Sequence, residues 1–389
     1  MTKKLEQICI ISGSYPTPTS PKYTFVDQLV SAWADLGIDC IVISPNSITK
    51  QITKRSNVKP REWSKTTLKG NTIKIYSPNY LSYSSRNLLG YNTANLTIKS
   101  FKQSVFKEFR RLNLKPDIIY GHFIVSSGIA AAEIGSIYNI PSFFAYGESS
   151  PEHLEKIGVQ RISNMLKNIN GVVSVSTENK KRLIERKIVS SEKVKVFPNA
   201  IDSKLFYKRD KQEMRRKFGY SESDFIVAFV GHFINRKGSL RVSRALDGLN
   251  GIKSIFIGNG PDFPTCEGIL HSGRVPHEKI PEMLSAADVF VLPTLNEGCC
   301  NAIVEAMACG LPIISSDKPF NDDVLTADNS IRVDPMNVEQ IRNAIKLLKN
   351  DTSIRMKMSE ASIIHAVNFK IEERAKRILN FMQEKIQKK

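Results

Sequence analysis

At 389 residues, with 41% hydrophobic content, the chain is long for one domain and apolar enough for two cores, and it shows no internal repeat or low-complexity tract. Its 56 Lys and Arg outnumber 38 Asp and Glu, a net charge of +18 that favours a polyanion, an anionic membrane surface or a phosphorylated substrate as partner. Six cysteines, Cys9, Cys40, Cys266, Cys299, Cys300 and Cys309, form no CxxC set, which argues against a zinc site or disulfide framework and for a reduced, cytoplasmic protein.

Lys3 and Lys4 precede only a short apolar run, and no stretch is long and uncharged enough to span a bilayer. Neither a secretory leader nor a spanning helix is expected. The run QICIIS at 7–12 reads as a buried strand, followed by a loop rich in Gly, Pro, Ser and Thr. Residues 25–36 have helical periodicity, with Phe25, Leu29, Ala32, Trp33 and Leu36 inward and Gly37 at the end. CIVIS at 40–44 is a second strand. Strand, helix and strand at this spacing open a parallel, doubly wound sheet, in which ligands bind at the strands' C-terminal ends. Residues 45–72 read as a polar, basic insertion with weak periodicity. Strands are expected at 73–76, 117–120, 142–145, 171–176 and 194–197, and helices at 96–112, 128–137, 151–168 and 178–186. Pro198-Asn199-Ala200-Ile201-Asp202 breaks the pattern, and the domain boundary is placed there.

The alternation then restarts. Strands are expected at 225–230, 253–257, 271–275, 289–292, 312–315 and 331–333. Helices are expected from 239 to about 249 and at 280–286, 338–348 and 352–367. A final helix from 371 places Ala375, Ile378, Leu379, Met382 and Ile386 on one face and is expected to pack on a neighbouring domain. The domains are therefore 1–200, 201–369 and a C-terminal helix 370–389 packing back on the N-terminal domain. Two doubly wound domains would leave a cleft between them.

The segment 293–312, PTLNEGCCNAIVEAMACGLP, is a strand end, a loop loosened by Gly298, and a helix that opens at Asn301. The unpaired N–H groups of such a helix start attract anions, and Glu297 and Glu305 frame it. The ordinary reading of such a unit is a capped helix with two solvated acids. A second anion-binding device is the loop 231–238 with Arg236 and Lys237, whose cations suit a diphosphate. Glu305 is placed to accept two hydroxyls of a ribose, and Glu297 hydroxyls of a second ring. Cys299 and Cys300 have no histidine base adjacent in sequence, which argues against a nucleophilic thiol.

Together these segments resemble the glycosyltransferases of family 4, a large group of retaining enzymes with the GT-B architecture of two Rossmann-like domains. Residues 231–238 resemble the family's glycine loop, Gly258-Asn259-Gly260-Pro261 its G-x-G-P turn, and Gly273-Arg274-Val275-Pro276 its base-facing segment. Glu297 to Glu305 with Ala306-Met307-Ala308-Cys309-Gly310-Leu311-Pro312 resembles its E-x7-E motif. Tyr15-Pro16 through Phe25-Val26, His122 with Ser127-Gly128, and Pro198 to Asp202 resemble its opening loop, acceptor-side histidine segment and linker.

The resemblance implies an α/β protein that moves a sugar from a UDP- or GDP-sugar to a glycan or lipid-linked acceptor, with retention and without metal or other cofactor. It implies that Glu297, His122 and Lys237 are catalytic. Arg236, Lys237, Cys300 and Asn301 would hold the donor diphosphate, and Glu305 the ribose. Glu297, Gly298, Cys299 and Cys300 would hold the sugar, and Arg274 and Val275 the base. Four positions depart from the pattern: His232 follows the first loop glycine where Arg is frequent, Thr24 and Ala200 replace glycines, and Tyr146-Gly147-Glu148 replaces a His-Gly pair.

Residues 50–115 carry 15 Lys and Arg against Glu62 and Glu108, interspersed with Trp63, Tyr76, Tyr80, Tyr83 and Tyr91. No nucleic-acid module is evident there, so an anionic membrane surface on the cytoplasmic side is the expected partner. The competing readings are a sugar-nucleotide epimerase of the same fold and a basic nucleic-acid-binding protein. A surface polysaccharide is the expected product.

Overall fold

The computed structural model describes residues 5–20, 23–54, 59–88 and 91–387. Lys3, Lys4 and residues 55–58 of the basic insertion lie outside the described residues. The chain divides into two compact units, residues 1–197 with 372–389, and residues 198–371.

Unit 1 is built on eight strands: β1 Gln7–Ser12, β2 Asp39–Ile43, β3 Glu62–Thr66, β4 Thr72–Tyr76, β5 Ile118–His122, β6 Ser142–Tyr146, β7 Gly171–Ser174 and β8 Val194–Val196. Their order across the sheet is β8-β7-β6-β5-β1-β2-β4-β3. Every neighbouring pair is parallel except β3 with β4. The central strands are continuous apolar runs because both faces of a parallel sheet are covered; Ile8, Cys9, Ile10 and Ile11 are wholly buried.

The 45–72 insertion is more ordered than its weak periodicity implies. It holds the helix Ile48–Lys54 and the edge strand β3, in which Trp63 pairs with Ile75. Sequence reasoning misses β3 because EWSKT has no apolar face and is mostly exposed. Charged side chains on an edge strand are a usual guard against pairing with another chain. The expected helix at 151–168 is two helices, Glu152–Ile157 and Val159–Met165, broken at Gly158 with φ of 100°. Part of the local basic surplus is internal: buried Glu108, on the helix Ala94–Arg111, accepts from Arg61 at 2.5 Å and Arg111 at 2.6 Å, and Lys65 pairs with Asp27.

The final helix, Ile371–Gln387, closes unit 1 from residue 372 onward. Ala375, Ile378 and Met382 are wholly buried, Trp33 Nε1 donates to the Ala375 carbonyl at 3.2 Å, and the Phe381 ring lies against Phe143 and Phe197.

Unit 2 is an all-parallel sheet of β9 Phe225–Val230, β10 Ile252–Ile257, β11 Ile269–Gly273, β12 Val289–Leu292, β13 Ile313–Ser316 and β14 Ser330–Val333, in the order β11-β10-β9-β12-β13-β14. One helix escapes the sequence reading, Lys211–Phe218. Its start signal is present, since the Asp210 side chain accepts from Glu213 N at 2.7 Å, and Gly219 ends it at φ of 71°. The helix is so charged that it shows almost no apolar stripe. Its inward anchor is instead Arg215, buried and paired with Asp288 at 2.6 Å.

Candidate active site

In unit 2 the chain order reverses between β9 and β12, and the loops leaving their C-terminal ends are 231–238 and 293–300. Such a switch point is where doubly wound sheets bind ligands. The first loop is braced by the turn after β10. Gly231 N donates to the Ile257 carbonyl at 2.9 Å and Phe233 N to the Asn259 carbonyl at 2.8 Å. Gly258 has φ of 156°, and a Cβ there would lie 1.8 Å from the Gly231 carbonyl oxygen; at Gly260, with φ of 154°, it would lie 2.2 Å from that of Phe233. The G-N-G-P sequence is thus required by two turns packed backbone to backbone. Buried Arg241 ties the switch-point loops together, donating to Asn235 Oδ1 at 2.7 Å and to the Pro293 carbonyl at 2.9 Å.

Arg236, Lys237, Glu297 and Cys300 form one cluster. Glu297 Oε1 lies 2.6 Å from Lys237 Nζ and 2.8 Å from Arg236 Nη1, and accepts from Thr294 Oγ1 at 2.9 Å. Arg236 also donates to the Asn296 carbonyl at 2.7 Å. The Lys237 and Glu297 side chains are 13% and 11% exposed, so deleting Glu297 would strand the Lys237 charge at about 3–5 kcal/mol, whereas deleting Lys237 leaves Glu297 paired with Arg236. Burial alone would lower the pKa of Lys237, but Cys300, ionised only in the alkaline range where Lys237 itself titrates, and Glu297 outweigh it and hold the pKa above its ordinary value. Two fixed cations on one carboxylate leave a positive surplus facing the helix Asn301–Ala308, whose first N–H groups carry partial positive charge.

Burial raises the pKa of the Cys300 thiol, and Lys237 only partly opposes it, so a protonated thiol rather than a nucleophile stands there. The Gly298-to-Asn301 backbone is held by Asn199, whose Nδ2 donates to the Cys299 carbonyl at 3.0 Å and to Asn301 Oδ1 at 2.7 Å. The sequence reading treats Asn199 as part of a linker; its proximity to residues about a hundred positions away leaves no local signal.

Glu305, one turn into the helix, is buried and faces His277, with Nε2 to Oε1 at 3.8 Å. The nearby Glu305 carboxylate raises the pKa of His277, with burial opposing. His277 also meets the Phe206 ring edge-on at 5.3 Å. It is a further polar neighbour of the ribose-binding candidate, missed because it lies just beyond the Gly273-to-Pro276 motif. Arg274 is exposed and Val275 half-buried in the connection after β11; His232 is exposed.

Unit 1 has its own switch point, between β1 and β5, where Ser12 pairs with His122. His122 is the last residue of β5, at the strand's C-terminal end as expected, although the strand runs two residues further than the 117–120 expected. It is buried, and burial first, then the Arg374 charge, drive its pKa down to about 3, leaving a neutral imidazole. Among the described residues its Nδ1 has no hydrogen-bond partner. The rings of Phe25 and Phe123 lie 5.5 and 4.8 Å away. The chain beyond it is strained: Phe123 has φ of 71° and Ser126 of 66°. Such conformations cost about 1–3 kcal/mol each and cluster at functional sites. Gly121 permits the turn, since a Cβ there would lie 2.6 Å from the Ser127 carbonyl oxygen. Thr24 opens the helix Thr24–Asp35, and Tyr146 is buried in the core.

Two doubly wound units, one of them carrying paired cations, an E-x7-E helix and interlocked glycine turns at its switch point, define a GT-B glycosyltransferase. Residues 24–205 match the model of Glycosyltransferase Family 4 and residues 210–364 that of Glycosyl transferases group 1, and the two together make the chain a family 4-like glycosyltransferase of the GT-B fold. A putative teichuronic acid biosynthesis glycosyltransferase of Bacillus subtilis (strain 168) is 26% identical over 355 residues, 87% of this chain and 88% of that protein. Among solved structures, sucrose-phosphate synthase from Thermosynechococcus elongatus matches with a TM-score of 0.77 at 17% identity, covering 99% of this chain and 100% of that chain. Anabaena HepE in complex with UDP and glucose matches with a TM-score of 0.69 at 15% identity, covering 96% and 98%. At these identities the solved structures bear on the fold alone.

Proposed function

We propose that this glycosyltransferase takes a sugar from a UDP- or GDP-sugar and transfers it, with retention and without a metal, to a glycan or lipid-linked acceptor in surface polysaccharide synthesis. The observation that carries the reading is the Arg236–Lys237–Glu297 cluster beside the helix start at Asn301. In this reading the two cations, aided by the N–H groups near Asn301, stabilise the leaving nucleoside diphosphate as charge develops on it. Glu305 holds the ribose, and the Gly298-to-Asn301 backbone touches the sugar. Glu297 contacts the sugar while its carboxylate is shared by two cations, which weakens it as a nucleophile and favours departure and attack on one face of the sugar. Neutral His122 serves the acceptor side as a hydrogen-bonding group rather than a cation. The naming of the Bacillus relative for teichuronic acid biosynthesis supports a polysaccharide product, and HepE, which shares the fold, is a protein solved with UDP and glucose.

A panel of UDP- and GDP-sugars, screened for protection against thermal unfolding and then for acceptor-dependent nucleotide release, tests the donor. Protection by none of them would refute the reading, and isomerisation of the sugar nucleotide with no acceptor would replace transfer by epimerisation. Transfer is expected to persist in EDTA. Among the described residues no helix is long and apolar enough to cross a membrane. The basic surplus at 50–115 is proposed to draw the enzyme to anionic lipid on the cytoplasmic side, where a lipid-linked acceptor would lie. Vesicle flotation at low salt is expected to show binding to anionic but not to neutral vesicles.

A further inference from the structure

The strained turn after His122 is held by a carboxylate that the sequence pattern did not explain. Glu148 stands two residues beyond β6, the neighbour of β5, in the Tyr146-Gly147-Glu148 segment that departs from the family's His-Gly pair. Its Oε1 accepts from Ile124 N at 3.0 Å and its Oε2 from Gly147 N at 3.0 Å. One side chain thus joins the loops leaving two adjacent strands at their C-terminal ends. Ile124 lies between Phe123, with φ of 71°, and Ser126, with φ of 66°, so the bond falls within the strained stretch. Glu148 is itself anchored: Asn179 Nδ2 donates to its carbonyl at 3.1 Å, and Arg182 donates to the Ser149 carbonyl at 3.1 Å.

We propose that Glu148 is a positioning residue for transfer: its carboxylate holds the Phe123-to-Gly128 turn, and so fixes the end of β5 that presents His122. Strained backbone persists only where its surroundings over-determine it, and the fit of Gly121 against Gly128 sets one side of this turn while Glu148 sets the other. The arrangement is also sensitive to protonation. Burial raises the Glu148 carboxyl pKa to about 7, with the Ile124 and Gly147 N–H groups opposing the rise. Among the described residues, Tyr23 and Tyr146 feel its charge, and Tyr146 in turn faces Arg182 and Arg186. The two arginines are paired, with Glu178 at 3.0 Å and Glu155 at 3.1 Å. Above about 7 the ionised carboxylate accepts both N–H bonds; below it, the protonated oxygen becomes a poor acceptor and one bond weakens.

The inference rests on the glycosyltransferase reading and is tested on the full chain with Glu148→Gln. Wild-type kcat is expected to fall on the acid side through about pH 7. In Glu148→Gln it should be about tenfold lower at pH 8, with that acid limb gone and with KM for the donor unchanged, because the donor groups lie in unit 2. A variant with wild-type kcat and the same acid limb would overturn the proposal. Hydrogen exchange at the Ile124 amide of the wild-type protein gives a readout that needs neither variant nor activity. Corrected for intrinsic rates, it should accelerate severalfold as pH falls through about 7; a flat profile would overturn the assignment. If the wild type transfers no sugar at any pH, the functional reading fails, and the exchange profile still decides whether Glu148 holds the turn.

Discussion

At the switch point of unit 2, Arg236 and Lys237 converge on a single oxygen of Glu297. At the switch point of unit 1, a neutral His122 stands among the rings of Phe25 and Phe123, with Nδ1 lacking a hydrogen-bond partner among the described residues. On the proposed reading, one end of the reaction is handled by fixed charge and the other by shape and hydrogen bonding. A diphosphate is the same in every nucleotide sugar and rewards a fixed electrostatic cradle. Acceptors differ, and on the same reading an apolar, uncharged acceptor side can be altered without dismantling the proposed donor site.

The contrast is broken if charge proves dispensable in unit 2. Lys237→Ala is expected to lower kcat by about 10²–10³-fold, whereas His122→Ala should leave donor affinity intact; donor titrations with both variants check this. Glu305→Ala should weaken nucleoside-diphosphate binding by about tenfold or more, measured calorimetrically, since it removes a charged hydrogen-bond acceptor. Glu297→Gln sharpens the contrast with opposite signs. Free of their carboxylate, Lys237 and Arg236 should bind UDP or GDP a few-fold more tightly while transfer falls. Asn199→Ala, which unties the backbone at Cys299 from Asn301, should lower kcat about fivefold with little change in thermal stability, read from paired kinetic and unfolding assays.

The smallest effect concerns pH. His277 has its pKa raised in the folded state by Glu305. The pair therefore stabilises unit 2 fully below the ordinary histidine pKa of about 6.5, and the contribution is lost as pH rises through the higher folded value. The Tm difference between wild type and His277→Gln should shrink from about pH 5.5 to about pH 8.5.

What could be read from the sequence follows from how local its causes are. β9, β12 and the helix start at Asn301 were legible because buried parallel strands are continuous apolar runs and the helix has a clear inward face. The glycine turns were legible because a Cβ at Gly258 or Gly260 would strike backbone, so the chain has no other residue to use. β3 and the helix Lys211–Phe218 were hidden because their contribution is hydrogen bonding and a buried ion pair rather than an apolar face. Asn199, His277 and Glu148 act through partners distant in the chain or at neighbouring strand ends, and spacing alone gives no sign of that. The resemblance gave Lys237 and Glu297 roles in one reaction, but their sharing one oxygen with Arg236 is visible only in three dimensions.

The closing helix of unit 1 sets the order in which the molecule can be finished. Residues 198–371 form a continuous unit, while the unit begun at the N-terminus awaits residues 372–389. During synthesis, the surfaces of Trp33, Phe143 and Phe197 that meet Ala375 and Phe381 emerge long before their partners. A chain cut short after residue 371 would hold an intact unit 2 and a unit 1 with an open apolar seam. Until the closing helix arrives, the earlier-made part of unit 1 presents the kind of surface that chaperones and proteases recognise.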